Sequence, residues 1–122
     1  MLKDKFFTIK EKTTEEENFK FIVALNKEHK IFDGHFPNMP VVPGVCTLQM
    51  IKECTEEILG KELQYNNIAN CKFSAMIVPT DVQEVEIAGS ATPTEDGFAI
   101  KATVKSPEAS YLTLKANVIE IA

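Results

Sequence analysis

The chain of 122 residues is long enough for one hydrophobic core and too short for two, so we expect a single domain over residues 1–122. With 44% apolar and 25% charged residues, it has the composition of an ordinary soluble globular protein. Its formal net charge of −5 makes nucleic acid an unexpected partner, because proteins that bind the phosphate backbone are usually basic.

The sequence also lacks the features of an exported or membrane-spanning protein. No apolar run reaches the roughly 18 residues of a membrane span. The first ten residues, MLKDKFFTIK, lack the apolar stretch and small-residue cleavage site of a secretory signal. Three cysteines are an odd number, which argues against a disulfide framework. We therefore expect a cytoplasmic protein.

Two strands and one helix are predicted in the first half of the chain. Residues 6–9 form a short strand, and apolar residues at 19, 21, 23 and 25 alternate with their neighbours in a second strand. Residues 43–60 form the helix, because Pro43 suits its first turn and Gly60 suits the position after its end. Its glutamates Glu53, Glu56 and Glu57 mark a wetter side, and the opposite broad arc is apolar.

Four strands are predicted in the second half, at residues 68–75, 82–91, 98–105 and 112–118. Asp96-Gly97 is typical of a hairpin turn, since glycine allows the positive φ that such turns require. Ser106-Pro107-Glu108 indicates another turn, and Asp81 is expected to shape one as well. Short connections favour an antiparallel meander of these four strands.

The segment at residues 34–45, GHFPNMPVVPGV, contains the chemistry of this sequence. It holds one of only two histidines, three of the six prolines and two of the five glycines. Prolines fix φ and glycines permit unusual φ, so the backbone follows a set path from His35 to the start of the helix. A base and the N–H groups of a helix start are what chemistry on a carbonyl compound needs.

Together with the preceding HKIFD, this segment closely resembles the signature of the bacterial (3R)-hydroxyacyl-[acyl carrier protein] dehydratases. The resemblance spans about residues 19–119. CKF at 71–73 and VPTD at 78–81 look like that family's strand-and-turn segment, where Pro-Gly-Asp is usual. The resemblance implies an α+β hot-dog fold, in which an antiparallel sheet wraps around a central helix. PGVCTLQMIKE looks closer to dehydratase-like members of bacterial polyene or specialised lipid clusters.

The resemblance also implies roles for individual residues. His35 would remove the proton from the carbon next to a thioester carbonyl, and the backbone N–H of Gly44 would polarise that carbonyl, with Val45 as a second donor. This fits the physics of a helix start, whose N–H groups lack internal partners and carry partial positive charge. The family's active site lies between two subunits, so a homodimer is expected.

The family's catalytic acid, fourteen positions after the histidine, is replaced here by Gln49. An amide cannot give up a proton near neutral pH, although it can hydrogen-bond a substrate hydroxyl while His35 acts alone. Glu53, one helical turn further, is the nearest substitute acid, but a solvated surface glutamate is the simpler interpretation.

Other candidates have simpler interpretations beside the functional ones. Pro43 and Val45 are expected to contact the substrate. An acyl tunnel could be lined by Phe36, Phe73, Met76 and Ile77. Each of these four is more simply explained as a core residue. The lysines that could dock an acidic carrier protein, or be plain surface charges, are Lys52, Lys61 and Lys72.

The remaining histidine and the cysteines are assigned no chemistry. His29 is expected at the surface, and with His35 it makes a poor metal site, so we expect neither a metal nor a cofactor. Cys46, Cys54 and Cys71 are most simply small buried residues. Cys46 lies in the first helical turn, where a thiol pKa can fall, but the family's chemistry needs no covalent intermediate.

The sequence thus predicts a homodimer that dehydrates 3-hydroxyacyl thioesters of acyl carrier protein to trans-2-enoyl thioesters. Two alternatives stay open. One is a hot-dog thioesterase, which would need a carboxylate near the carbonyl. The other is a non-catalytic subunit that holds acyl carrier protein or supports an active partner, an interpretation that Gln49 favours.

Overall fold

A computed structural model describes residues 2–32 and 41–121. In chain order the elements are strands β1 (Phe7–Glu15) and β2 (Asn18–Leu25), a short 3-10 helix (Lys30–Phe32), helix α1 (Gly44–Leu59), and strands β3 (Leu63–Phe73), β4 (Glu84–Pro93), β5 (Gly97–Lys105) and β6 (Ser110–Glu120). This is the predicted order of strands and helix. Within the described ranges, no helix has the length and apolar character needed to span a bilayer.

The six strands form one antiparallel sheet in the order β1-β2-β4-β5-β6-β3. The predicted meander holds for β4, β5 and β6 but is wrong for β3, which lies beyond β6 at an edge. Residues 74–83, between β3 and β4, are too many for a tight hairpin and carry the chain from one part of the sheet to another.

The apolar alternation correctly identifies the strand faces that pack on the helix. Buried side chains follow one face of each inner strand and meet the apolar side of α1; they include Phe21, Val23, Ile87, Val104 and Leu114 from the sheet and Met50, Ile51 and Cys54 from the helix. The two edge strands extend beyond their predicted bounds. β1 continues through polar residues to Glu15 and β3 begins at Leu63, because pairing with one neighbour holds segments that bury few side chains.

Three turns were predicted between strands. The one at Asp81 is confirmed, because the Asp81 N–H donates to Val78 O at 2.9 Å. The other two differ in whether the predicted physical reason for the turn holds. The Ser106 N–H donates to the carbonyl of Ala109 at 2.8 Å, which confirms the turn there. Gly97, however, does not have a positive φ and is the first residue of β5. A Cβ at this position would lie 2.1 Å from the carbonyl oxygen of Val118, so close approach of the strands requires the glycine.

Helix α1 begins one residue later than predicted and ends as predicted. Pro43 is its N-cap, with φ −61° and ψ 144°, and Gly44 is its first residue. Gly60 has φ 66°, and its N–H donates to the Glu56 carbonyl at 2.8 Å. This left-handed residue closes the helix in the way that favours glycine. Helix and sheet together give the hot-dog arrangement that the resemblance implied.

Candidate active site

A cavity of about 640 Å³ opens at the N-terminal end of α1. Its walls come from residues 41–45, 47, 73–77 and 111–112, and apolar side chains predominate. Two backbone hydrogen bonds hold the walls: the Val42 N–H donates to Ile77 O at 2.9 Å, and the Ser74 N–H donates to Tyr111 O at 2.8 Å. The cavity therefore has a fixed frame and suits an apolar group with a polar end.

The start of α1 offers two hydrogen-bond donors to this cavity. No side chain caps the helix, and the N–H groups of Cys46 and Thr47 both donate to Pro43 O, at 2.9 and 3.2 Å. Gly44 and Val45 line the cavity, and their N–H groups have no acceptor in the described part of the chain. Such amides carry partial positive charge and stabilise an oxygen that is becoming negative.

Phe73 and Met76 lie at the cavity with much of their surface open to solvent. The exposed fraction is 51% for Phe73 and 61% for Met76, so the core interpretation is wrong for both, whereas Ile77 is buried. A Cβ added to Gly44 would lie 2.9 Å from Cζ of Phe73, so the aromatic ring packs directly on the helix start. The cavity thus brings Gly44, Phe73 and Met76 together with the predicted substrate-binding residues Pro43 and Val45.

His35 and Phe36 lie outside the described residues, within residues 33–40. Their roles as base and as acyl-binding residue therefore stay predictions. The described chain resumes at Val41, a buried residue in the cavity wall, only six positions after His35 and three before Gly44.

Gln49 and Glu53 form a polar pair on α1, and neither is among the described residues that line the cavity. Gln49 Nε2 donates to Glu53 Oε2 at 2.7 Å. Glu53 also accepts the N–H groups of Leu2, at 2.8 Å, and Lys3, at 2.8 Å. Its side chain is 2% exposed, so the solvated interpretation is wrong. Glu53 anchors the N-terminal segment and holds one end of the Gln49 amide.

The other titratable candidates are also tied to neighbours. His29 is half-buried rather than a surface residue: its ring packs edge-on against Phe6, and its Nδ1 accepts the N–H of Ile31 at 3.1 Å. In residues 2–32 and 41–121, no three potential metal ligands cluster.

The three cysteines are free, and their thiols are less acidic than usual. Burial raises the pKa of Cys46, so the lowered pKa considered for a thiol at the helix start is wrong. Burial, with smaller contributions from Glu53 and Glu57, raises the pKa of Cys54 to about 12. Cys46 and Cys54 are buried as predicted, and Cys71 is half-buried.

The candidate docking lysines fall into two groups. Lys52 contacts Glu56 at 3.3 Å and donates to Leu63 O at 3.2 Å, while Lys61 pairs with Glu120 at 3.3 Å. Lys72 is exposed, and no acidic partner occurs for it among the described residues.

The sequence interpretation missed Thr47 and Tyr111, which also line the cavity. Thr47 lies three residues after Gly44, and this helical spacing on the same side was the available signal. For Tyr111 only the fold gives the signal, because its strand must first be placed beside the helix start.

Comparison with known proteins matches most of this sequence to a family model. The family model described as "ApeI-like: ApeI dehydratase" matches residues 11–110, which is most of the chain. The chain belongs to the ApeI-like dehydratase family.

Relatives of this ApeI-like chain include enzymes named 3-hydroxyacyl-[acyl-carrier-protein] dehydratase FabZ. The protein from Staphylococcus epidermidis is 34% identical over 110 residues, with 80% of this chain and 75% of the relative covered. The one from Clostridium botulinum is 31% identical over 111 residues, with 75% and 77% covered. For the FabZ of Ruegeria sp., the match is 32% over 74 residues and spans 53% of this chain but only 45% of that relative.

Solved structures agree on the hot-dog fold. The dehydratase heterocomplex ApeI:P from Xenorhabdus doucetiae superposes with a TM-score of 0.74 at 14% identity, covering 93% of this chain and 97% of that one. A mutant of thioesterase PA1618 from Pseudomonas aeruginosa gives 0.57 at 7% identity, covering 94% and 82%. At these identities the likeness concerns the fold alone.

Proposed function

We propose that this protein removes water from 3-hydroxyacyl groups carried on acyl carrier protein and forms trans-2-enoyl thioesters, in fatty-acid or polyene-type lipid biosynthesis. Membership of the ApeI-like dehydratase family and the similarity to FabZ proteins support the reaction class. The structural observation behind the proposal is the pair of N–H groups of Gly44 and Val45, which face an apolar cavity without an acceptor in the described chain.

The proposed mechanism begins with the thioester carbonyl at the start of α1. Its oxygen accepts the N–H groups of Gly44 and Val45, which stabilise the negative charge that develops when the neighbouring carbon loses a proton. His35 takes that proton. The bond from the third carbon to its hydroxyl then breaks, a double bond forms between the second and third carbons, and the hydroxyl leaves as water with one proton.

Gln49 determines how the hydroxyl receives that proton. Because Glu53 holds its Nε2, the Gln49 amide presents its oxygen and one remaining N–H to other groups, and neither is an acid. We propose that Gln49 orients the leaving hydroxyl while His35 returns the proton. The missing general acid would slow the reaction by about 10²–10⁴-fold relative to an enzyme that has one.

A homodimer, or an assembly built from it, would explain why Gln49 lies away from the cavity of its own chain. A site shared between two copies can take the base from one and Gln49 from the other. β3 offers an interface, because it pairs only with β6 among the described strands and exposes Ile68 and Phe73. Sedimentation equilibrium would test this state: Ile68→Lys should weaken a dimer, and a monomeric wild type would refute it.

A second function is favoured by Gln49 itself: a subunit that binds acyl carrier protein and depends on a related chain for the acid. The solved ApeI:P structure is a heterocomplex, which makes such an assembly a reasonable alternative. Thioester hydrolysis is less favoured, because no described residue lining the cavity is a carboxylate and Glu53 is occupied by backbone donors.

One assay separates these functions. The protein is incubated with 3-hydroxyacyl-carrier protein and the carrier is followed by mass spectrometry. Loss of one water means dehydration, release of the free carrier thiol means hydrolysis, and an unchanged bound carrier means a non-catalytic subunit. We expect dehydration, abolished in His35→Ala and faster in Gln49→Glu, because the new carboxyl beside Glu53 would keep its proton near neutral pH. Wild-type turnover in His35→Ala would refute the assigned base.

The carrier protein itself is proposed to dock near Lys72, beside Phe73 at the cavity end of β3. Lys72→Glu should raise KM for the carrier-bound substrate and leave kcat and the KM for a short pantetheine thioester unchanged. Lys12→Glu is the matched control, since Lys12 is an exposed lysine of β1 at the opposite sheet edge. Equal effects of both variants would exclude a specific role for Lys72.

The free cysteines and the carrier substrate suit a cytoplasmic location.

A further inference from the structure

Helix α1 contains two buried threonines whose hydroxyl groups have different surroundings. Thr55 is fully buried, and its Oγ1 donates to Ile51 O at 2.8 Å, one turn back in the helix. Thr47 is 2% exposed and lines the cavity, yet its hydroxyl has no hydrogen-bond partner within residues 2–32 and 41–121. A buried hydroxyl that the described residues leave unpaired can take a partner from a ligand in the cavity, which would avoid the free-energy cost of an unmade hydrogen bond.

The position of Thr47 relates this hydroxyl to the amides at the helix start. Thr47 follows Gly44 by three residues, which places both on one side of the helix, and helical side chains lean toward the N-terminus. Thr47 therefore lies beside the place proposed for the thioester carbonyl. The other polar side chains of the wall differ: the Tyr111 hydroxyl is bonded to Ser106 Oγ at 2.7 Å, and Ser74 is exposed.

We propose that the Thr47 hydroxyl binds the 3-hydroxyl group of the acyl substrate and positions it for elimination; this inference rests on the dehydratase function proposed above. The carbonyl oxygen has two lone pairs, which the N–H groups of Gly44 and Val45 fill, so it needs no third donor. A substrate hydroxyl needs a group that can both donate and accept, as a threonine hydroxyl can. Apolar neighbours such as Leu112 leave few competing partners.

Thr47 would position the substrate and not act as an acid, because an alkyl hydroxyl hydrogen-bonds but does not give up its proton near neutral pH. Its contribution should therefore appear as selectivity for acyl groups that carry the 3-hydroxyl. A saturated acyl group of the same length keeps the apolar contacts and the carbonyl contacts but lacks the group that Thr47 binds.

The test compares two unreactive ligands, 3-hydroxyoctanoyl and octanoyl pantetheine with an amide in place of the thioester, by calorimetry. Wild type should bind the hydroxylated ligand about 2- to 13-fold more tightly, the range for one net hydrogen bond. Thr47→Val should lower this preference by weakening only the hydroxylated ligand, and the preference that remains would be the contribution proposed for Gln49. Thr47→Ser, which keeps a hydroxyl, should retain the preference.

Thr55→Val is the matched control, because it removes a buried hydroxyl from the same helix at a site that does not line the cavity; it should keep the wild-type preference. An unchanged preference in Thr47→Val, or an equal loss for both ligands, would overturn the role of Thr47 even if the wild type dehydrates its substrate. A wild type that neither binds these ligands nor dehydrates the carrier-bound substrate would refute the proposed function and this inference together.

Discussion

The two ends of helix α1 differ in whether their polar groups have hydrogen-bond partners. Toward the C-terminal end they are paired: Glu53 accepts two backbone N–H groups, Glu56 accepts the N–H of Leu63 at 2.7 Å, and Gly60 closes the helix. At the other end no side chain caps the helix, and two N–H groups face a cavity. Pairing stabilises the fold, and the open end is where a ligand can be bound, so the two ends should respond differently to substitution.

Breaking the paired end should have the largest effect on stability. Glu53→Ala leaves the N–H groups of Leu2 and Lys3 and the amide of Gln49 without their acceptor. Hydrogen bonds to charged groups contribute roughly 1.5–3 kcal/mol each, so the free energy of unfolding should fall by about 5 kcal/mol in urea titrations. Glu57→Ala is the control, since this exposed glutamate on the same helix has only a surface ion pair with Lys3. Similar losses in both variants would contradict a special role for Glu53.

A second stability effect should appear at alkaline pH through Cys54. Its thiol pKa is raised from 9.0 to about 12 in the folded protein, so the folded state keeps the proton while the unfolded state loses it. Stability from this group is full below pH 9 and falls as pH rises toward 12, by about 4 kcal/mol in all.

The measurement is the urea midpoint of wild type and Cys54→Ala from about pH 8 to about pH 11. Other groups that titrate in this range act in both proteins, so only the difference in slope reports Cys54. The wild-type curve should fall more steeply with pH. Parallel curves would show that the thiol is not held protonated by the fold.

The same contrast explains what the sequence could predict. Local patterns identified α1, its closing Gly60 and the strands whose alternate residues are buried, because burial on one face leaves a period in the sequence. They missed the place of β3 beside β6 and the first residues of β3, since an edge strand buries few side chains and so has no clear period.

The sequence identifies the helix start of the candidate site, which depends only on adjacent residues. It does not identify the surroundings of Glu53 and Thr47, which depend on contacts with distant residues. Gly44 and Val45 follow from a helix start, which is a feature of adjacent residues. Glu53 was misjudged because its partners, Leu2 and Lys3, are some fifty positions away in sequence and no pattern links them. Thr47 was missed because its significance depends on a cavity wall built partly from residues 73–77 and 111–112.

Gly44 and Gly60 lie at the two ends of α1, so a glycine-to-alanine substitution at each position compares the two ends with the smallest possible change in side chain. Gly60→Ala places a side chain at φ 66° with nothing within 4 Å of its Cβ, so it should cost about 1–2 kcal/mol of stability through backbone strain alone. The cavity is at the other end of the helix, so kcat/KM should be unchanged.

Gly44→Ala should have the opposite effects, with little loss of stability and a clear loss of activity. Its backbone is helical, so alanine is acceptable there, but the new Cβ would lie 2.9 Å from Cζ of Phe73 and must displace the ring from the helix start. Because the ring is half exposed it can move at little cost in stability, while kcat/KM for 3-hydroxyacyl-carrier protein should fall about 10-fold, since small displacements at a reacting group are costly. If Gly44→Ala lost stability and kept its activity, the helix start would be a packing site, and its open amides would not be where the carbonyl binds.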